Sequence, residues 1–211
     1  SRNSQEILNI FTILIWAKLA LKDSNWNPSV THLETIEKLA PILRNLRHSD
    51  AGLPRFHGSC GDVDGQLDKA LSNAESREIS SHETSVGFVR LSNSRTSVII
   101  DAAPPPMGKK AVKADASTLA FEMVSGQRRV FTSCGPGYLF GSDLSLVGRQ
   151  TSSHCAVYIE DRNSSEFSSV EGWFKASKKM IINGPSTVPK EISNHEGAGI
   201  FEGAHDGFVQ S

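Results

Sequence analysis

Two apolar runs around a three-residue turn constrain this chain more than any other feature. Leu119–Val124 and Arg129–Ser133 flank Ser125-Gly126-Gln127. Glycine supplies the positive φ of a tight turn, so the pair predicts a β-hairpin. Strand alternation puts Leu119, Phe121 and Met123 on one face, with Ala120 and Glu122 on the other. Glu122 is then expected to face solvent, or to pair with Arg128 or Arg129 on the neighbouring strand. A third strand, Cys155–Ile159, follows the polar Thr151-Ser152-Ser153-His154. The stretch Asp115–Glu166 thus reads as the start of an antiparallel β-sandwich with a polar site on one edge.

Further short strands fit the same class. Val86–Leu91 and Ser97–Ile100 form a hairpin around Ser92-Asn93-Ser94. Others fall near Gly172–Lys175, Met180–Ile182, Pro189–Ile192 and Gly199–Phe201. Ala102–Lys113, with its three prolines, and the Gly-rich Gly135–Leu146 read as loops. Short strands divided by turn signals argue for a sandwich over βαβ units.

The N-terminal part is different. Ile7–Leu21 is an apolar run of 15 residues, short of the roughly 20 that span a bilayer. It has no basic leader and no small-residue cleavage site, so it does not read as a signal peptide. It reads as a helix buried on most sides by other helices, whose partners lie largely outside this chain. A second helix opens at Pro28-Ser29-Val30-Thr31, with Thr31-x-x-Glu34 as a capping box. Val30, Leu33, Ile36, Ala40, Leu43 and Leu46 form its apolar face. Pro41 is expected to kink it or end it early. Leu53–His57 is read as a short strand, Asp62–Ala74 as a helix and Glu75–Glu83 as a linker. Ser1 is not a Met and the last residues carry no closing signal, so the chain reads as a fragment of a longer protein.

Charge excludes little but directs the search. The 22 basic and 23 acidic residues give a net charge of −1. No basic bias points to nucleic acid or to an anionic membrane, and neither is expected as a partner. Oligomeric state is left open. Cys60, Cys134 and Cys155 form no C-x-x-C pair, and each is expected to act as a small buried hydrophobe. A Cys134–Cys155 disulfide becomes conceivable if their strands are neighbours. The chain has no G-x-S-x-G, no P-loop and no H-E-x-x-H.

Several residues remain as chemical candidates. His154 sits at a strand entrance among hydroxyl side chains, where it can be a base or a ligand. His57, in Arg55-Phe56-His57-Gly58, is placed to line a sugar cleft. His205 precedes an Asp-Gly turn. For each, the ordinary alternative is a packed or capping histidine. Asp115 and Glu122 are the carboxylates nearby.

The order of these segments resembles the heparinase II/III-like family in its bacterial branch. LAFEMVSGQRRVFTSCG at 119–135 is similar to the family's central hairpin. VGFVRLSNSRTSVIIDAAPPP, RQTSSHCAVYIEDRNSSEF, AHDGF and LRHSDAGLPRFHG resemble further family segments in collinear order. The resemblance implies a mostly β fold: an antiparallel β-sandwich preceded by the last helices of an α/α-toroid. Residues 1–48 would close the toroid, 49–83 would be a connector, and 84–211 would be the sandwich, truncated at its C-terminal end.

Characterised members of that family are polysaccharide lyases. The resemblance therefore implies β-elimination on uronic-acid-containing glycans, heparin- or heparan-like or related. A base removes the proton α to the carboxylate, and the 4-O-glycoside leaves. It also implies an acidic polysaccharide as partner and a bacterial periplasmic or envelope location. His154 and Asp115 become the catalytic candidates, with His57, His205 and Tyr138 for substrate binding. Ala114-Asp115-Ala116-Ser117 stands where the family usually carries A-H-A-G, and Ser133 falls where an Asp is expected. The zinc ligands of some members are thus unmatched, and no metal or other cofactor is expected. The alternative is a non-catalytic carbohydrate-binding or structural sandwich that has lost its histidine.

Overall fold

The computed structural model describes residues 2–61, 64–75, 86–171, 177–196 and 198–209. The fold mixes helices with antiparallel strands, so the expectation of a mostly β chain is corrected. The antiparallel pairing itself is as expected.

Helix α1 spans Ser4–Asp23 and is capped by Asn3, whose side-chain oxygen accepts the Glu6 N–H at 2.9 Å. Ile7, Leu8, Phe11 and Ile15 are buried on one face, while Ile10, Ile13 and Trp16 are exposed. At 20 residues the helix outruns its apolar stretch, and by length and composition it could cross a membrane. Its inner face is packed against α2, spanning Val30–Leu46, and α3, spanning Gln66–Ala74. The cap of α2 is Ser29, which accepts the His32 N–H, and not the expected Thr31 box. Pro41 does not end α2 early, since the helix runs on to Leu46. It removes one hydrogen bond, but the buried Ile36, Ala40, Leu43 and Leu46 hold the face in register on both sides of it.

The central sheet has the order β1-β2-β3-β4, with β1 Phe88–Asn93, β2 Thr96–Asp101, β3 Phe121–Ser125 and β4 Arg128–Phe131. The expected hairpins are β1–β2 and β3–β4. Strand β3 begins at Phe121 because Leu119 turns into the left-handed region at φ 61°. The sheet is covered on both faces. Phe88, Ile99 and Ala120 join the helical core, while Val89 and Ile100 pack under Ile192 and Phe201. Those two come from the hairpin of β7, Lys190–His195, and β8, Ala198–Gly203. A third hairpin, β5 Glu166–Glu171 with β6 Ser177–Asn183, packs Phe167, Met180 and Ile181 on Ala111 and Ala114.

Three strand expectations fail or lie elsewhere. Leu53–His57 forms no strand; it is connector backbone whose Leu53 N–H reaches Gly61 O at 2.9 Å. Cys155–Ile159 forms no strand either, only an isolated bridge from Ile159 to Arg162. Val157, Tyr158 and Ile159 are exposed, with no layer to bury them. Gly172–Lys175 and residues 62, 63 and 76–83 of the helix and linker expectations lie outside the described residues.

Candidate functional site

Residues 48–61, a connector between α2 and α3, lie across the inner face of the central sheet and meet two buried polar networks there. Strand alternation puts Ala120, Glu122 and Val124 on this face, and all three are buried. The expectation that Glu122 faces solvent is therefore corrected: the face is right, but the connector covers it. Pairing with Arg129 holds, at 3.5 Å from Glu122 Oε2. Glu122 Oε1 also accepts the N–H groups of Arg55 at 2.9 Å and Ser133 at 3.2 Å. Arg129 Nε donates to Asp50 at 2.9 Å. His48 Nε2 stands 3.8 Å from Glu122, and its Nδ1 meets Ser97 Oγ at 3.0 Å.

The second network gathers three of the candidate residues. His57 Nε2 lies 3.1 Å from Asp101 Oδ2 at the end of β2. Asp101 also receives Ser117 Oγ at 2.6 Å and pairs with the Arg2 guanidinium. His57 Nδ1 accepts the Asp115 N–H at 3.1 Å, and the His57 N–H donates back to Asp115 Oδ2. His154 Nε2 stands 3.9 Å from that same carboxylate oxygen. Its ring lies 6.2 Å from that of Phe56, and neither ring nitrogen has a hydrogen-bond partner among the described residues.

Local structure explains how these groups meet. Arg149 grips the segment carrying Asp115, donating to the carbonyls of Ala111 and Ala114 at 2.7–2.8 Å, while its own carbonyl accepts the Ala116 N–H. Thr151 and Ser164 hydroxyls both bond Ala116 O. The hydroxyl-rich run before His154 is thus the scaffold that aims it at Asp115.

Electrostatics separates the carboxylates. Burial opposes ionisation of Asp101, yet Arg2 and His57, with the Ser117 hydroxyl, hold it below the usual carboxylate range. Burial pushes Asp115 up, only partly offset by His154, His57 and Arg149. Burial pushes His154 down in spite of Asp115, so its imidazole is neutral at neutral pH. A neutral histidine beside a carboxyl of raised pKa can pass a proton across a short gap. What it cannot do in this conformation is touch a ligand: the side chains of His154 and Asp115 are 0% and 4% exposed.

The remaining candidates sit elsewhere. Tyr138 lies on a 3-10 turn, Gly137–Leu139, and is exposed beside Leu139 and Phe140. His205 is half-buried, 5.5 Å from the Phe208 ring, and accepts the Gly207 N–H at 3.0 Å. Asp206 next to it clamps Ser186 through both N–H and hydroxyl. That segment is a turn lock. A cavity of about 570 Å³ opens among the helices instead, lined in part by Lys18, Lys22, Trp26, Leu33 and Glu75. Arg2, Asp101 and Ser117 were not singled out from sequence; the inward alternation of β2 toward Asp101 was the available signal.

The residues do not fit a zinc of the family type. Among the described residues no group of three or more His, Cys, Asp or Glu converges on one point. The Asp115 Oδ2 and His57 Nδ1 that would serve as ligands accept backbone N–H groups. The three cysteines are free; Cys134 is exposed and the other two half-buried, not the buried hydrophobes expected.

Comparison with known proteins agrees with this architecture. A family model described as heparinase II/III-like, C-terminal, matches residues 77–211, well over half of the chain. The chain belongs to the heparinase II/III-like family. Among curated proteins it is 31% identical over 102 residues to FtsZ-localized protein C of Caulobacter vibrioides, covering 47% of this chain and 18% of that one. Among solved structures it resembles the heparinase III product of gene BT4657, with a TM-score of 0.60 at 18% identity over 77% of this chain and 29% of that chain. It also resembles the heparan sulfate lyase HepC of Pedobacter heparinus, with a TM-score of 0.58 at 15% identity over 81% of this chain and 32% of that chain. The chain thus spans about a third or less of these relatives, and the likeness to the solved structures is one of fold.

Proposed function

We propose that this chain is part of a polysaccharide lyase-type protein acting on uronic-acid-containing glycans, and that it builds one wall of the glycan cleft. In this reading residues 1–48 end an α/α-toroid, 49–83 connect, and 84–211 form the sandwich. Family membership and the fold of the heparin and heparan lyases support the substrate class. The observation that carries the division of labour is the burial of His154 and Asp115 beneath the connector. A base must reach the proton it removes, so these two groups brace the wall and the proton is taken by a group elsewhere in the protein. Exposed Tyr138 and Phe140 present flat faces on which sugar rings can stack. The protein works in the bacterial periplasm or envelope, where such glycans are met; cell fractionation tests that placement.

A second reading, a non-catalytic carbohydrate-binding or structural sandwich, is favoured by Asp115 standing where the family carries a histidine. One experiment separates the two. The full-length protein is incubated with heparin, heparan sulfate and alginate, and the absorbance of the unsaturated uronate product is followed. A rise on any of them, retained in His154→Leu, is the expected result. No rise on any leaves the non-catalytic reading, and a rise abolished by His154→Leu makes His154 the base and overturns its bracing role.

A further inference from the structure

We infer that Cys134 and Cys155 are a modification site: they form a reversible disulfide by exchange with a small-molecule disulfide, stapling the two segments that cover His154. The inference stands apart from the glycan reading.

Two contacts fix how the segments run. The Cys134 N–H donates to Ser153 O at 2.9 Å, and Cys155 Sγ lies 3.6 Å from Thr132 O. As residue number rises in one segment it falls in the other, so they are antiparallel. Ser133 is then opposite His154, and both are buried. Thr132 and Cys134 are exposed and Cys155 is half-buried, while Ser153, at the end of a 3-10 turn, is buried. The two thiols lie diagonally across these two contacts, close enough for Cys134 to act on the Cys155 thiol; in a regular strand pair such a diagonal has Cα separations of about 7–8 Å and Cβ separations less. A disulfide needs Cβ atoms about 3.5–4.5 Å apart. The segments must close by a few ångströms; neither is part of a strand, and β3 holds them by single bonds, Phe121 N–H to Cys155 O at 3.1 Å and Ser133 N–H to Glu122 Oε1 at 3.2 Å.

The chemistry assigns an order. Burial pushes the Cys155 thiol up, and Glu122 and Cys134 push it the same way, so Cys155 is the slower nucleophile. The exposed Cys134 thiolate attacks one sulfur of oxidised glutathione and expels a glutathione thiolate. Cys155 then loses its proton and attacks Cys134 Sγ in the mixed disulfide, expelling the second glutathione thiolate. Two protein thiols and one glutathione disulfide become one protein disulfide and two glutathione thiols, which take up the two protons. Cys60 lies on the connector, its Sγ 3.6 Å from Gln5, and serves as the internal control.

The test treats full-length protein with oxidised glutathione, alkylates the remaining thiols, digests without reductant and maps the peptides by mass. The expected product links the Cys134 and Cys155 peptides, with Cys60 alkylated. Cys155→Ser should accumulate the Cys134–glutathione adduct, and Cys134→Ser should leave Cys155 alkylated. In the oxidised protein, exchange of the His154 amide should slow, while that of β1–β3 is unchanged. The inference is overturned if wild type keeps both thiols alkylated. It is equally overturned if each carries glutathione without a link, or if the link joins two chains.

Discussion

The two buried networks under the connector have the same ingredients and different degrees of completion: among the described residues His48 beside Glu122 has one ring nitrogen without a hydrogen bond, and His154 beside Asp115 has both. Around Glu122, the carboxylate receives two backbone N–H groups and the Arg129 guanidinium, and Arg129 is held in turn by Asp50. Around Asp115, the carboxylate is held by backbone too, but the histidine facing it across 3.9 Å has no hydrogen bond on either nitrogen. A carboxylate bonded from several chain segments welds them together. A network with an orphaned titratable side chain has either a water to host or a job that needs the free nitrogen. The contrast marks the Glu122 cluster as architecture and leaves His154 as the less firmly bonded of the two histidines.

The largest expected effect tests whether the Asp115–His154 side is nonetheless anchored. Asp101 is fully buried and carries Arg2, His57 and Ser117. Asp101→Ala leaves the guanidinium and the imidazole without their shared anion. Removing one partner of a buried ion pair costs about 3–5 kcal/mol. Urea unfolding of the full-length protein should show that loss. A cost below about 1 kcal/mol would mean that Arg2, which also bonds four backbone carbonyls, is held without Asp101.

Glu122→Gln sharpens the same contrast from the more complete side. The amide oxygen can still accept from Arg55 and Ser133, but its NH₂ now meets Arg129. Losing a charge-assisted bond costs about 1.5–3 kcal/mol, and the midpoint of unfolding should fall accordingly. An unchanged midpoint would show that the backbone bonds alone carry the network.

How much of this was legible in the sequence divides along the range of the contacts. The β3–β4 hairpin was readable because Ser125-Gly126-Gln127 is local turn chemistry. The alternation of Ala120 and Glu122 was readable for the same reason. Which face is dry was not, because the cover comes from Arg55 and its neighbours, 67 residues away from Glu122. The approach of His154 and Asp115 was suggested by the order of family-like segments. Arg2 against Asp101, 99 residues apart, left no local trace. Cys155–Ile159 misled because its apolar alternation looks like a strand, while nothing pairs with or covers it.

His48 tests the Glu122 network by pH. Burial first, then Arg129, pushes its pKa from 6.5 down to about 3. The groups facing it are Glu122 and Ser97 from the sheet, Arg129 from β4, and Asp50 and Arg90. A folded pKa below the unfolded one gives stability that is complete above about pH 6.5 and is lost as pH falls toward 3. Glu122, whose pKa burial raises, runs the other way: its contribution is lost as pH rises through its folded pKa. The comparison of variants isolates the histidine. The stability gap between wild type and His48→Asn should narrow by about 1.4 kcal/mol per pH unit below 6.5. A gap constant from pH 7 to pH 5 would mean that the fold leaves the His48 pKa unshifted, and a gap that widens as pH falls would mean that His48 is charged in the fold and paired with Glu122.

The smallest expected effect decides most about the incomplete network. If the free nitrogens of His154 do nothing for the fold, replacing the ring by an apolar side chain of similar reach removes an unsatisfied buried polar group. Such a change is neutral or stabilising, so His154→Leu should unfold within about 1 kcal/mol of wild type. The leucine would pack against the Phe56 ring and leave Asp115 with its backbone donors from His57 and Gly58. A loss of several kcal/mol would show that the 3.9 Å gap to Asp115 is an ion pair or holds a bridging water, and the two networks would then be equally complete. A neutral result keeps His154 as a residue that stability does not account for, and the glycan assay of the same variant then reads its role directly.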